Sequence, residues 1–155
     1  IGLIVAMRRP DLVKRLVVIG ANFKHEAILD FGLTEESPAM QMISENYMKQ
    51  SPDGPDHFEE FVTKSLVMWD AEPNMTVQDL SKISIPVLVM VGDDDGINLS
   101  HTCEMYESIP GAQLSVTPGA SHAVPMEKPA EVARIVDEFF SCQLPIETMM
   151  PIRRR

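Results

Sequence analysis

The sequence predicts an α/β protein built on a parallel sheet, and three observations carry that prediction. Short apolar runs at 16–19, 85–91 and 112–117 have the length and β-branched content of buried strands. Helical patterns, not two-residue turns, separate them, as parallel strands require. Two of the runs stop at a loop that carries a proton-handling side chain: Gly92-Asp93-Asp94-Asp95 after the second, and Pro118-Gly119-Ala120-Ser121-His122 after the third. A side chain at the end of a parallel strand lies on the carboxyl edge of the sheet, where open α/β sheets hold their ligands.

The elements follow in order. Leu3, Ile4, Met7, Leu12, Val13 and Leu16 keep near-helical spacing, and the small Gly2 and Ala6 let that helix lie close to a sheet. Pro10 ends it. Leu16-Val17-Val18-Ile19 then reads as a buried parallel strand stopping at Gly20. From 22 to 81 the character changes: Met40, Met42, Met48, Met68 and Met75 accumulate, and helical patterns over 38–50 and 56–70 flank the breaker Ser51-Pro52-Asp53-Gly54-Pro55. An insertion of this length is too long for an ordinary connection and reads as a lid. Ile85–Val91 is the next strand, Leu99–Ile109 a helix capped by Asn98 or Ser100, and Ala112–Thr117 a third strand. Pro129–Phe140 is an amphipathic helix with Val132, Ile135, Val136, Phe139 and Phe140 in one stripe. Residues 143–155 lack a pattern and read as a tail. The expected organisation is a core of 1–22 and 81–142 with a helical cap at 23–80.

Composition narrows the function. The 155 residues are 45% hydrophobic and 23% charged, with net charge −10 and a pI near 4.7. An acidic chain without a basic patch excludes a nucleic-acid or anionic-membrane partner. Arg8-Arg9 and Lys14-Arg15 read as helix surface and exit turn, and Arg153-Arg154-Arg155 as a solvated terminus. Cys103 and Cys142 sit in no metal-ligand spacing, so no metal or cofactor is expected. They read as free thiols of a cytoplasmic protein, with one disulfide left open. No apolar run approaches the roughly 18 residues that span a bilayer. The chain opens on Ile1 in mid-pattern, so any leader lies upstream.

Asp95 is the candidate acid and His122 the candidate base. A carboxylate at a strand end orients an imidazole and stabilises its cation. An imidazole on a loop above the sheet exchanges protons near neutral pH. Asp94 is the second choice for the acid. Asp93, Asp94 and Asp95 also read as a simple polar turn, or as a cation site for which no further oxygen ligands are at hand. His25 reads as a polar residue opening the insertion, and His57 and His101 as helix-surface residues. Trp69 and the methionines read as the lid's own core, with an adaptable substrate pocket as the alternative. Ser121 adjoins His122 but is too close in sequence for attack geometry, and no Gly-x-Ser-x-Gly turn occurs.

Three stretches together resemble the α/β-hydrolase-fold enzymes. Ala6–Gly20 resembles the helix after their nucleophile with its following strand. Ile85–Asp95 resembles their acid-bearing strand and turn. Pro118–His122 through Glu127-Lys128-Pro129 resembles their histidine loop and last helix. The resemblance implies the C-terminal half to three-fifths of such a fold, with Asp95 as triad acid and His122 as triad base. It places a Gly-x-Ser-x-Gly turn just upstream of Ile1, together with the oxyanion-hole loop. It implies a serine hydrolase of an ester or related small acyl substrate, hydrophobic in keeping with the insertion. Epoxide and carbon–carbon bond hydrolases, dehalogenases and cofactor-free haloperoxidases share this half, and a degenerate, ligand-binding hydrolase is the non-enzymatic alternative. The strand at 16–19 would then lack one neighbour, so association with the missing half, or self-association, is expected.

Overall fold

The computed structural model describes residues 1–29, 34 and 36–152. Asp30, Phe31, Gly32, Leu33 and Glu35 of the insertion lie outside the described residues, as does Arg153-Arg154-Arg155. Three strands, β1 (Leu16–Ile19), β2 (Val87–Gly92) and β3 (Gln113–Thr117), form a parallel sheet in the order β1-β2-β3. The register pairs Leu16 with Val87 and Leu88 with Gln113. Helix α1 (Gly2–Arg8) precedes β1, while α2 (Pro38–Gln50), α3 (Phe58–Ala71) and α4 (Val77–Leu80) lie between β1 and β2. Helix α5 (Leu99–Ser108) links β2 to β3, and α6 (Val124–Glu127) and α7 (Pro129–Ser141) follow β3.

Strand alternation divides the core into two layers. Val87 and Val89 pack with Leu3, Ala6, Leu80, Met105 and Ile109 on one face. Leu88 and Met90 pack with Val124, Val132 and Phe139 on the other. Every residue of β2 is therefore buried, the pattern of a central parallel strand covered on both sides. Burying side chains such as these contributes roughly 1.5–3 kcal/mol each, an upper bound set by the unfolded reference.

Except at Phe140, which is 52% exposed, the α7 stripe forms as its spacing predicts, burying Val132 and Phe139. Its C-terminal end is fastened to the segment before β1. The Arg15 guanidinium donates to the carbonyls of Phe139 and, at 2.7 Å, Cys142, satisfying acceptors that the helix leaves unpaired. Cys103 and Cys142 are free thiols. Among the described residues no helix is long and apolar enough to cross a membrane.

The first helix stops at Arg8, just before Pro10 as expected, and Pro10–Leu12 makes one 3-10 turn. The structure corrects two readings. In β1 only Val18 is buried, because among the described residues the strand pairs on one side alone. The apolar residues of α2 and α3 do not build a core. Neither helix holds a buried residue, and Met42, Phe61, Leu66, Met68 and Trp69 are all 41–54% exposed. The two helices meet instead through rings, Tyr47 stacking on Phe61 at 4.9 Å and tilting against Phe58 at 5.4 Å.

Candidate active site

The carboxyl edge of the sheet is assembled by one close backbone approach. Gly92, the last residue of β2, faces the loop after β3. A Cβ there would stand 2.0 Å from the Ala120 carbonyl oxygen and 2.6 Å from that of Ser121. Backbone bonds then knit the two loops: Asp93 N–H donates to Thr117 O and Asp94 N–H to Ala120 O, both at 3.1 Å. The Asp93 carboxylate accepts from Gly119 N–H at 2.7 Å and from Ala120 N–H at 3.3 Å.

This knitting brings Asp95 and His122 together. Asp95 Oδ1 lies 2.8 Å from His122 Nδ1 and also accepts from Ile97 N–H at 2.9 Å. The two side chains differ in burial in the way an orienting acid and a working base require: 1% exposed for Asp95 and 49% for His122. A buried carboxylate oxygen facing Nδ1 favours the tautomer with its proton on Nδ1, so that Nε2 is the basic atom. Asp95 Oδ2 is buried without a hydrogen-bond partner among the described residues. It faces Gly20, whose φ is +55°; a Cβ there would lie 2.8 Å from His122 Nδ1 and 3.2 Å from Asp95 Oδ2. The turn after β1 is thus the floor under the pair, and only glycine fits it.

The other candidates separate from this pair. Asp94, the second choice for the acid, is exposed, and it is Asp95 that meets the imidazole. Ser121 Oγ donates to Glu127 Oε1 at 2.9 Å and serves the loop, not the imidazole. Among the described residues no group of three His, Cys, Asp or Glu side chains is placed to hold a metal ion. His25 opens a 3-10 turn and pairs its backbone N–H with Pro73 O. His57 stands 3.2 Å from Glu60 on the α3 surface. A cavity of about 690 Å³ opens beside α5, lined by Lys24, Glu26, Asn98, His101 and Glu104 among others, but neither Asp95 nor His122 borders it.

His101 corrects its surface assignment. It is 9% exposed, stacks on Phe23 with ring centroids 4.0 Å apart, and accepts from Phe23 N–H through Nε2 at 3.1 Å. The signal was present, because His101 and Met105 lie four residues apart on one face of α5. Burial pushes the His101 pKa down; Glu104 and Glu26 oppose that shift, and Lys24 adds to it. The neutral ring is therefore the one the fold selects. Its contribution is complete above the unfolded value of 6.5 and is lost as pH falls through the lower folded value. The urea midpoint is expected to fall between pH 7 and 5, and to fall less in His101→Phe. Equal falls in both proteins would contradict this assignment.

Sequence reasoning also passed over Asp93, Gly20 and Glu127. Asp93 sat inside a run of three aspartates read together as a polar turn, and residues 93–94 do form a turn, so strand alternation does not sort them.

No protein-family model and no curated protein matches the chain. Solved structures do match it. The carbazole-degradation serine hydrolase CarC is 20% identical with a TM-score of 0.67, over 92% of this chain and 59% of its own. The meta-cleavage product hydrolase CumD of Pseudomonas fluorescens IP01 is 19% identical with a TM-score of 0.64, over 89% of this chain and 59% of its own. MGS-M2, an α/β hydrolase enzyme from a Medee basin deep-sea metagenome library, is 18% identical with a TM-score of 0.61, over 96% and 63%. The chain therefore spans about three-fifths of the length of the structures it matches, and at these identities the likeness is one of fold.

Proposed function

We propose, for a chain that has the α/β-hydrolase fold, that it is the acid–base half of a serine hydrolase acting on a hydrophobic ester or related small acyl compound. One observation carries the reading: the 2.8 Å contact between a buried carboxylate and a half-exposed imidazole at the carboxyl edge of the sheet. In this mechanism His122 Nε2 takes the proton of a serine hydroxyl as that oxygen attacks the substrate carbonyl, and returns it to the departing alkoxide. Water, deprotonated by the same nitrogen, then cleaves the acyl-enzyme. Asp95 holds the imidazole and stabilises its cation throughout. The serine and the oxyanion donors are assigned to the part of the fold that this chain does not span. The helical segment at 23–80 is the lid, and the apolar side chains on α2 and α3 are its substrate-facing surface.

In full-length protein, His122→Ala is expected to lower p-nitrophenyl ester turnover by about 10³–10⁴-fold with the fold retained. Undiminished turnover would remove His122 from the mechanism. The codons just before Ile1 separate the chemistries that share this fold. Gly-x-Ser-x-Gly there fits the serine hydrolase; an aspartate in place of the serine points to epoxide or halide chemistry; an inert residue points to a binding protein. Carbon–carbon bond hydrolysis is the second reading, favoured by the likeness to a meta-cleavage product hydrolase. The side of β1 that has no partner strand among the described residues accepts the next strand of the sheet, from the upstream half or from a second copy. A monodisperse monomer of these 155 residues in size-exclusion chromatography would contradict that pairing.

A further inference from the structure

The base stands in the middle of a short segment whose backbone is held by a carboxylate that takes no part in the acid–base pair. Glu127, at the end of α6, reaches back across its own turn. Its Oε2 accepts from Ser121 N–H at 2.7 Å and its Oε1 from the Ser121 hydroxyl at 2.9 Å. Ser121 Oγ in turn accepts from Ala123 N–H at 3.2 Å. Both residues that flank His122 therefore end on Glu127, one directly and one through the serine. The α6 turn keeps the carboxylate within reach, with Met126 and Glu127 N–H donating to Ala123 O at 2.8 and 3.0 Å. Asp93 holds the preceding stretch, 119–120, from the side of β2.

We propose that Glu127 is the positioning residue of the imidazole: by clasping Ser121 it fixes the backbone from which His122 springs, so that Nδ1 stays on Asp95. The inference rests on reading His122 as the base and deepens it. Glu127 is exposed, so its two bonds add only modestly to global stability. A loop released by even one of them lets the ring swing, and a displacement of about 1 Å at a reacting group lowers rate by about 10²-fold. Local order and rate should therefore respond far more than the unfolding free energy does.

The test uses full-length protein carrying Glu127→Ala, Glu127→Gln or Ser121→Ala. Three readouts are followed: hydrogen exchange at the Ser121 amide, the low-field proton signal of His122 Nδ1–H, and kcat and KM for a p-nitrophenyl ester. Glu127→Ala is expected to speed Ser121 exchange by about tenfold, to broaden the His122 signal, and to lower kcat with KM unchanged. Glu127→Gln keeps an acceptor for the Ser121 amide and is expected to restore all three towards wild type. Ser121→Ala removes only the hydroxyl link and should give the intermediate result; it decides the matter if Glu127→Ala fails to fold. Unchanged exchange and a sharp signal in Glu127→Ala, or in Ser121→Ala where that variant decides, would overturn the clasp. So would Glu127→Gln behaving like Glu127→Ala. A wild-type protein with no His122 Nδ1–H signal would overturn the acid–base pair itself, while Ser121 exchange would still report on the clasp.

Discussion

Gly92→Ala is expected to lower the unfolding free energy by about 3 kcal/mol, at the upper end of what a single overpacked position does. The added carbon would meet the Ala120 carbonyl oxygen at 2.0 Å and its carbonyl carbon at 2.6 Å. Neither is the end of a flexible side chain, so relief must come from moving a whole loop. That loop carries His122, and the bonds from Asp93 and Asp94 that hold it would stretch with it. Turnover should therefore fall along with stability, by about 10²-fold for a shift near 1 Å. Urea unfolding and ester turnover measured on one variant test both halves of the claim. A change within about 0.5 kcal/mol, the range of an unremarkable surface substitution, would mean that the two loops do not meet as described.

The second large effect is on chemistry alone. Asp95→Asn preserves shape and is expected to lower kcat by about 10⁴-fold, the scale on which a triad loses function when its imidazole is held in the wrong tautomer. The reason lies in the donors. Asp95 Oδ1 accepts from both His122 Nδ1 and Ile97 N–H. An amide that leaves its oxygen at the Oδ1 position buries an NH₂ where Oδ2 has no hydrogen-bond partner among the described residues; flipped, its NH₂ takes the Oδ1 position, opposes Ile97 N–H and asks Nδ1 to accept. The proton then moves to Nε2, the atom that must act as base. Circular dichroism should stay at wild type. Turnover within about tenfold of wild type would show that the carboxylate does not govern the imidazole.

How far the sequence could be read follows from which physical signals are local. The strand β2 was legible because covering both faces demands an unbroken apolar run, and Val87–Val91 supplies one. Helix α7 was legible because a single apolar stripe over thirteen residues has no other use. The ends of β2 and β3 marked Asp95 and His122 because chemistry at a sheet edge needs polar side chains where an apolar run stops. What was illegible is set by distant backbone. Gly92 looked like any strand end, and nothing near it announces Ala120 at van der Waals range. Phe23 carries no mark that it would stack on His101, 78 residues later. The methionines of α2 and α3 misled for the opposite reason: their helical spacing is real, but spacing reports an apolar face and not whether another surface covers it.

Whether Asp95 and His122 form one interacting unit above the sheet is read from a double-mutant cycle on unfolding free energy. The members are wild type, Asp95→Ala, His122→Ala and the double variant. Removing either partner breaks the same 2.8 Å contact, so the double variant should lose that contact once and not twice, whatever Asp95 also loses at Ile97. A coupling of about 1 kcal/mol is expected, modest because the imidazole is half exposed. Losses that add to within about 0.3 kcal/mol would contradict it.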